Sequence, residues 1–279
     1  TILNQLAKFL PAYSGFLWKR QIGYVFLDAS KLTYSLGNST TDDNATDSYV
    51  ATTLSSAAAN GATSISVANA TGLSNTANIG IVNNDHSIFW TTIANTPSGT
   101  TVTLANATTS AISSGAMVYS YSTKLARPLK ITRAFRREYN GTDYSDIVIK
   151  KAALLDYVRL PNKAEGNSVL EFVYSRRNTS GTLYTWPVES SGQAVLGILY
   201  DQPVQDFSNT TDNPDFPQYW LLPLAYLLAY YISPAYGVPA DQRAQLQADA
   251  KELLNIALSY DADDENTKIE IDTMGNGGV

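Results

Sequence analysis

The chain has 279 residues with a net charge of −6, no cysteine and a single histidine, His86. The lack of cysteine excludes disulfides, thiolate nucleophiles and zinc–cysteine sites, and one imidazole is too few for most metal and acid–base chemistry. The acidic balance argues against a protein that grips duplex DNA, because affinity for phosphate comes from clustered Lys and Arg.

The first predicted elements are a helix and a β-hairpin. Residues 2–17 have apolar side chains at helical spacing until Pro11 interrupts the pattern. Residues 21–28 and 31–36 are rich in Tyr, Val, Phe and Leu, and a short polar segment separates them. This arrangement predicts two strands joined by a turn.

Residues 48–123 differ in composition from what precedes them, being rich in Ala, Ser, Thr, Asn and Gly with short β-branched bursts. Recurring short strands with Gly and Asn turns predict a small antiparallel all-β module inserted into the chain. Within it, Ser-Val-Ala-Asn-Ala-Thr at 66–71 is echoed by Thr-Leu-Ala-Asn-Ala-Thr at 103–108. We interpret these echoing segments as two strand-to-turn units of one small domain.

A second set of strands follows the insertion and is expected to resume the sheet begun near residue 21. A short helical stretch near 151–157 separates its members. The predicted strands cover residues 127–137, 144–150, 169–175, 183–186 and 195–200.

The C-terminal third is predicted to be helical. Residues 219–232 are apolar nearly all round, which indicates burial on several sides, and Pro223 is expected to kink this helix. Pro239 opens a second helix, whose apolar stripe continues to Tyr260. The apolar run of 219–232 is shorter than the ~20 residues that span a bilayer, so we expect no membrane segment. Nor does a basic segment lead into an apolar core at the N-terminus, so no secretory signal peptide is expected.

The fold class predicted from these elements is α+β, with a helical body from the chain ends, a β-sheet region and an inserted all-β domain. The predicted divisions are 1–47 for the helix end and hairpin, 48–123 for the insertion, and 124–260 for the sheet and two helices. Residues 261–279 are predicted to form an extended C-terminal arm, because their acidic and then Gly-rich composition offers little to a core.

Five basic residues near the start of the second set of strands form the segment most like a nucleic-acid patch. They are Arg127, Lys130, Arg133, Arg136 and Arg137. Arg127, Arg133 and Arg137 share one strand face only if no bulge intervenes. The patch suits either an acidic neighbour or DNA, and a charged edge strand also blocks aggregation.

Enzymatic interpretations have weak support in the sequence. His86 lies between Asp85 and Ser87, but neighbours on a strand or turn do not converge on one point, so we interpret it as a turn residue. The acid pairs Asp143 with Asp146, and Glu165 with Glu171, supply two carboxylates as a cell-wall hydrolase needs, although the sequence does not give their separation. We expect no catalytic residue, no metal and no cofactor. A binding module is a further alternative, in which the insertion recognises a host glycan or a tail fibre. The 18 Tyr and four Trp of the chain would supply aromatic platforms for sugars.

Several motifs resemble those of the head-to-tail adaptors of short-tailed bacteriophages, the packaged-DNA-stabilisation or tail accessory factors. In chain order they are Leu-Trp-Lys-Arg at 17–20, Tyr-Val-Phe-Leu at 24–27, Tyr-Ser-Leu-Gly at 34–37, Arg-Leu-Pro-Asn-Lys at 159–163, Leu-Tyr-Thr-Trp-Pro-Val at 183–188, Asp206-Phe207, Asp215-Phe216-Pro217, Trp220, Leu228-Ala229, Tyr236-Gly237-Val238-Pro239 and the acidic run 261–265. Their order covers almost the whole chain. Family members usually have one more N-terminal helix, and Pro223 stands where a helix former is expected, so the chain departs from the pattern at those points.

The resemblance implies a structural virion protein at the head-to-tail junction, assembled in the host cytoplasm, and not an enzyme. Its implied partners are the portal protein, tail nozzle or tail fibre proteins, and further copies of itself in a ring of usually about twelve subunits. Double-stranded DNA would pass through the ring without sequence specificity. This favours an acidic neighbour over DNA for the basic patch, because dense phosphate contacts would hold a duplex that has to slide.

Two sets of site residues complete the expectation. The portal-binding arm is assigned to Asp261, Asp263, Asp264, Glu265, Ile269, Ile271 and Met274, in which alternation of Ile269 and Ile271 with Glu270 suits an added strand. The subunit interface is assigned to residues of the apolar helix, where Tyr and Trp are typical of interfaces. These are Tyr219, Trp220, Leu224, Leu227, Tyr230 and Tyr231.

Overall fold

A computed structural model of the chain contains two compact units. The residues that it describes are 2–13, 17–139, 143–205, 209 and 216–261. One unit, here the sheet unit, is Arg20–Pro203. The other, here the helical unit, combines Thr1–Lys19 with Val204–Val279.

The predicted fold class, α+β with a helical body, is wrong. Strands make up 36% of the structure and helices 24%, and the largest element is an eight-stranded sheet that is nearly closed into a barrel. Helices are signalled by residues close together in the chain, whereas strands of this sheet such as β1 and β16 pair across long stretches of sequence. Local periodicity therefore overstates the helices and does not reveal the barrel.

The sheet unit holds sixteen strands among the described residues. In chain order they are β1 Arg20–Phe26, β2 Thr33–Leu36, β3 Ala45–Thr46, β4 Val50–Thr53, β5 Ser64–Ser66, β6 Asn78–Val82, β7 Ile88–Thr92, β8 Thr101–Thr103, β9 Met117–Tyr121, β10 Lys130–Tyr139, β11 Tyr144–Lys151, β12 Gly166–Asn167, β13 Glu171–Arg176, β14 Gly181–Trp186, β15 Val188–Glu189 and β16 Ala194–Asp201. The helices are α1 Ile2–Tyr13, α2 Leu154–Arg159, α3 Gln218–Ile232 and α4 Ala240–Tyr260, with short 3-10 turns at Leu17–Lys19 and Ser233–Tyr236.

The barrel-like sheet has the strand order β2-β14-β13-β11-β10-β16-β1-β3. Its neighbouring strands are antiparallel except β11 and β13, which are parallel and are connected through α2. The loop between the two edge strands links them, because the backbone N–H of Asp43 donates to the carbonyl of Ser35 at 2.8 Å. The Asp43 carboxylate also accepts from the N–H of Ser35 at 2.7 Å, so the loop narrows the gap in the barrel.

The predicted β-hairpin of residues 21–36 does not form, although both of its strands do. β1 pairs with β16 on one side and β3 on the other, while β2 pairs with β14. The intervening turn binds other loops instead, since the N–H of Ala29 donates to the carbonyl of His86 and that of Ser30 to the carbonyl of Glu189. The local sequence signals a turn but not which strands pair across it.

The inside of the barrel-like sheet is filled with side chains. Large residues such as Tyr34, Phe172 and Tyr200 are fully buried there, and the Tyr200 hydroxyl donates to Asp47 at 2.6 Å. Burial raises the pKa of the Tyr200 phenol above its usual value. The interior is therefore a packed core that fixes the register of the strands.

The insertion contributes a four-stranded sheet of order β4-β9-β6-β7 and a two-stranded sheet of β5 with β8. It has its own hydrophobic core and begins and ends on neighbouring strands, because Val50 pairs with Ser120. The Thr46 hydroxyl lies where the chain passes into this module, and it donates to the carbonyl of Thr123, where the chain leaves, at 2.8 Å. The domain boundaries at 48 and 123 stay a prediction.

The two echoing segments adopt the same local structure. The N–H of Asn69 donates to the Thr52 hydroxyl at 3.1 Å, and the N–H of Asn106 donates to the Thr91 hydroxyl at 3.0 Å. Each segment leaves one strand of the antiparallel pair formed by β5 and β8. The interpretation of the echo as two strand-to-turn units is confirmed, and their membership of one small domain stays a prediction.

An aromatic cluster connects the insertion to the barrel-like sheet. Phe26 of β1 has the rings of Tyr49, Trp90, Tyr119 and Tyr121 within 5.8 Å, measured between ring centroids. Such tilted and edge-on pairs add to the energy of area burial. Phe26 therefore anchors the inserted module to the barrel.

The helical unit packs α1, α3 and α4 around one apolar core. Its buried members include Leu10, Trp220, Leu224 and Ala257. These three helices confirm the helices predicted near both chain ends, with Pro239 at the N-cap of α4 and with α3 continuing through Pro223. None of the helices in the described ranges is long and apolar enough to cross a bilayer.

Candidate interaction surface

The start of α3 is tied to the end of α4 by hydrogen bonds. The Tyr219 hydroxyl donates to Oδ1 of Asp261 at 2.5 Å, and the Trp220 indole Nε1 donates to Oδ2 at 2.8 Å. Burial and the Asp261 carboxylate raise the pKa of Tyr219 to about 12. Asp261 is itself buried, so it lies inside the helical unit and marks the last described position before the predicted arm. The other six residues assigned to the arm lie outside the described residues.

Of the six residues assigned to the subunit interface, Trp220 and Leu224 are buried in the core of the helical unit. The other four are half-buried or exposed: Tyr219, Leu227, Tyr230 and Tyr231. The two buried residues hold α3 in place and cannot meet a partner directly. The tyrosines are placed to do so.

The helical unit exposes further large apolar side chains that the sequence reasoning did not single out. They are Ile2, Phe9, Leu221, Leu222, Tyr236, Ile256 and Tyr260. One signal was available, because a helix that is apolar all round presents apolar groups on whichever faces its own core leaves uncovered. These exposed apolar residues make the helical unit a candidate interaction surface.

A groove of about 370 Å³ lies among the three helices of this unit. Its walls are mainly apolar and include Leu6, Phe9, Leu227 and Leu254. A second hollow of about 290 Å³ continues it along α3 and α4, since both are lined by Tyr230, Tyr231 and Gln247. We call the two hollows together the α3–α4 groove.

The α3–α4 groove has a positive character. Among the described residues that line it, two are charged, Lys251 and Arg243, and both are cations. The Nε of Arg243 is buried and has no hydrogen-bond partner in the described part of the chain. A guanidinium with an unmet donor beside aromatic rings is suited to bind a carboxylate.

The predicted basic patch is not a single surface. The pairing of β10 with β16 is irregular between Ile131 and Arg133, and Arg127 lies before β10 begins at Lys130, so Arg127 does not share a strand face with Arg133 and Arg137. Lys130 is exposed, and the Arg127 guanidinium donates to the carbonyl of Arg177 at 3.1 Å. The predicted basic face required that no β-bulge intervene, and a bulge is present.

Arg136 points to the other side of β10 and is buried. Its guanidinium donates twice to Glu189, with Nε–Oε2 at 2.7 Å and Nη2–Oε1 at 3.0 Å, and it also pairs with Glu138. The Arg136 hydrogen bonds, with help from Ser191, lower the pKa of the Glu189 carboxyl despite its burial. Arg136 is thus neutralised inside the protein and is not available to DNA or to an acidic neighbour.

Arg137 is also occupied within the chain. It forms a two-point contact with Asp146, in which Nε and Nη2 donate at 2.8 and 2.7 Å, and it lies over the rings of Tyr24, Phe135 and Tyr144. The Arg137 guanidinium lowers the pKa of the Asp146 carboxyl. Arg137 therefore contributes little net positive charge to the surface.

Two of the four carboxylates considered for a hydrolase form ion pairs with basic side chains. Asp146 binds Arg137, and Glu171 binds Lys150 at 2.9 Å, while Asp143 and Glu165 are exposed. In the parts of the chain that the structure describes, no three His, Cys, Asp or Glu side chains converge as metal ligands would.

His86 lies in the turn between β6 and β7, where its φ is 67°. The neighbouring Asp85 accepts from the hydroxyl and N–H of Ser87 at 2.6 and 3.0 Å, which stabilises the turn. This confirms His86 as a turn residue. The hydrogen bonds between Asp85 and Ser87 bypass the imidazole and do not form a triad.

Two of the motifs that carry the family resemblance contact each other. The indole Nε1 of Trp186 donates to the carbonyl of Asn162 at 2.9 Å. The Lys163 ammonium donates to the carbonyls of Val158 and Leu160 at the end of α2. In these positions the motif residues support the backbone, which accords with an architectural use.

Comparison with known proteins gave no match to a family model, to a curated protein or to a solved structure.

Proposed function

We propose that this chain is a ring-forming head-to-tail adaptor of a short-tailed bacteriophage, a structural virion protein that docks under the portal. In this role it extends the DNA channel and provides the platform to which tail proteins attach. The observation that carries the proposal is the set of large apolar side chains that the helical unit exposes, among them Leu221, Leu222 and Tyr236. Such exposure is costly on an isolated soluble chain and useful in a closed ring of identical subunits.

The chemistry of the surface supports a protein partner. Exposed tyrosines with a neighbouring apolar groove are typical of the centre of an interface, where aromatic side chains fill pockets on the partner. Tyr231 has this arrangement, since it is exposed and lines the α3–α4 groove. A ring contact made by this face would bury the aromatic residues of one copy against the next.

The state of the basic residues supports a channel that does not hold DNA tightly. Arg136 and Arg137 are paired with Glu189 and Asp146, so they offer few counterion-releasing contacts to phosphate. The barrel-like sheet has a filled interior, which makes it a spacer and not a ligand container. Both properties suit the wall of a channel through which a DNA duplex slides.

The C-terminal residues beyond Asp261 are proposed to be the hook on the portal. Their apolar positions Ile269 and Ile271 alternate with Glu270, which suits an extended peptide that adds to a partner's sheet or groove. The anchoring of Asp261 to Tyr219 and Trp220 gives this segment a fixed origin.

The test is assembly on a purified portal ring, measured by co-sedimentation and by electron microscopy. We expect the wild-type chain to be a monomer or weak oligomer alone and to form a closed ring on the portal. Leu222→Asp places a charge on the proposed contact, where the wild-type side chain is 55% exposed, and it should abolish ring closure while the chain stays folded.

Leu155→Asp is the matched control, because Leu155 is 60% exposed but belongs to the sheet unit. It should assemble like the wild type. Two results would count against the proposal: rings formed as readily by Leu222→Asp as by Leu155→Asp, or no association of the wild-type chain with any portal ring.

A further inference from the structure

We propose that the sheet unit binds an acidic segment of a partner protein at a cluster of basic side chains on one rim of the barrel-like sheet. The cluster consists of Arg127, Lys130, Lys151 and Arg176, and we call it the Lys151 cluster. It differs from the basic patch predicted from the sequence, because two of its members come from other strands. The inference goes beyond the adaptor function and does not rest on it.

The topology of the sheet brings these residues together from three neighbouring strands. Lys130 is the first residue of β10, Lys151 is the last of β11 and Arg176 is the last of β13. β10 runs antiparallel to β11, and β11 runs parallel to β13, so the three positions lie at the same end of their strands. Arg127 precedes β10 and therefore lies at this end too.

Hydrogen bonds to backbone carbonyls hold two of the side chains across the strand ends. The Lys151 Nζ donates to the carbonyl of Ile131 in β10 at 2.6 Å. The Arg127 Nη1 donates to the carbonyl of Arg177, just beyond β13, at 3.1 Å. An ammonium has three N–H groups and a guanidinium has five, so both cations keep donors for a ligand.

The positive charge of the Lys151 cluster is not balanced within the described part of the chain. Lys130, Lys151 and Arg176 are exposed, and the ion pairs found there involve other cations. The carboxylate of Asp201 attracts Lys151, but it is buried and accepts a hydrogen bond from Arg20 at 3.2 Å. The cluster therefore presents a net positive charge to solvent.

The cations of the cluster also repel one another. Burial lowers the pKa of the Lys151 ammonium, and the charges of Lys130 and Arg176 lower it further. A carboxylate bound among these groups would relieve the repulsion and form charge-assisted hydrogen bonds. The chemistry of the cluster therefore suits an anionic ligand.

An acidic protein segment suits this surface better than a nucleic acid does. The whole chain has a net charge of −6, which repels an extended polyanion. Further along β10, Arg136 and Arg137 are already paired with Glu189 and Asp146, so they do not continue the cluster into a track for phosphates. A short acidic segment needs only the local field, which acts over about 8 Å at physiological salt.

The experiment measures binding of a fluorescent peptide of about eight glutamates to the full chain. At ~3.4 Å per residue such a peptide is long enough to cross the three strand ends, which are spaced by ~4.8 Å. We expect it to bind at least ~10-fold more tightly than a glutamine peptide of the same length at low salt. An ionic strength of ~0.3 M should remove most of this difference.

Substitutions place the binding on the cluster. Lys130→Gln and Arg176→Gln should each weaken binding of the glutamate peptide about 3-fold, and together about 10-fold, because each removes one exposed charge contact. Arg159→Gln is the matched control, since Arg159 is also an exposed arginine of the sheet unit but lies at the end of α2. It should bind the peptide like the wild type.

Three results would overturn the proposal: no binding of the glutamate peptide, equal affinities for the glutamate and glutamine peptides, or equal losses in Arg176→Gln and Arg159→Gln. Tighter binding of a short DNA duplex than of the glutamate peptide, weakened by the same two substitutions, would also overturn it and would assign the cluster to nucleic acid. All of these outcomes leave the ring experiment unaffected, so failure here is distinguishable from failure of the adaptor function.

A second measurement locates the bound peptide without substitutions. A carbodiimide joins a lysine amine to a glutamate carboxylate that lies against it, and mass spectrometry identifies the lysine. Lys163 is the control for Lys151, because the ammonium of each donates to backbone carbonyls. Cross-links at Lys130 and Lys151 should form at least ~5-fold more often than at Lys163. Equal yields at the three lysines would contradict the proposal.

Discussion

The two units of this protein differ in how they satisfy one buried guanidinium nitrogen. In the sheet unit, Arg136 and Glu189 are buried together and satisfy each other with two hydrogen bonds, with Ser191 as a third partner. In the helical unit, Arg243 has a buried Nε without a partner in the described residues, beside an open apolar groove. The Arg136 guanidinium is thus satisfied inside the sheet unit, whereas the Arg243 Nε can accept one further partner.

The contrast indicates a division of labour within the chain. A unit with a filled interior and paired charges is a rigid scaffold, and its buried residues contribute to folding stability. A unit with an open groove and exposed aromatic residues gains stability from what binds to it. The effects of substitutions in the sheet unit should therefore appear in unfolding experiments. The effects of substitutions in the helical unit should appear in binding experiments.

The largest effect on folding is expected from Arg136→Met, which leaves Glu189 buried without its cation. Loss of one partner of a buried pair should lower the free energy of unfolding by about 3–5 kcal/mol, measured by urea denaturation. Arg137→Met is the control, because its partner Asp146 is 41% exposed and the loss should be about 1 kcal/mol or less. Similar losses in the two variants would mean that the sheet unit does not depend on its internal charge pair.

A smaller effect is expected from Gly192→Ala, which tests the close approach of the inserted module to the barrel. Gly192 has φ +61°, and a Cβ there would overlap the backbone carbonyl of His86. Gly99→Ala is a matched control, since Gly99 has φ +60° with open space around it. Both variants carry the strain of a left-handed backbone, so the additional loss for Gly192→Ala, about 1–3 kcal/mol, reports the clash. Equal melting temperatures would show that the loops separate freely.

The smallest effect is expected in alkaline solution. Burial raises the pKa of Tyr174 to about 12, above the usual value of about 10. Because the folded state disfavours the phenolate, this contribution to stability is fully present below pH 10 and is lost as the pH rises towards 12. The free energy of unfolding should fall less steeply over that interval in Tyr174→Phe than in the wild type. Tyr236→Phe, at a residue 79% exposed in the helical unit, should leave the slope unchanged.

Much of the local structure could be predicted from the sequence. The apolar periods of residues near the two chain ends gave α1, α3 and α4, because a helix repeats its buried face within a few residues. The turn at His86 and the two strand-to-turn units at 66–71 and 103–108 were also readable, since each depends on residues close together in the chain.

The arrangement of these pieces could not be predicted, because it depends on pairing between distant residues. β1 pairs with β16 and not with β2, and Arg136 meets Glu189 across 53 residues of sequence. The bulge near Arg133 displaced the basic patch, and no pattern of residue types marks a bulge of that kind. The α3–α4 groove likewise exists only once three helices are packed.

The junction between the inserted module and the barrel bears on how such proteins can evolve. Thr46 binds the carbonyl of Thr123, and Val50 pairs with Ser120, so the chain departs and returns at adjacent points. Any unit whose two ends lie about 4.8 Å apart, the spacing of neighbouring strands, fits the same opening without disturbing the barrel register. A lineage can therefore exchange this module for an unrelated one, or lose it, while keeping the scaffold and its helices. Exchange at this junction would alter the surface that the module presents and leave the pairing of the barrel strands unchanged.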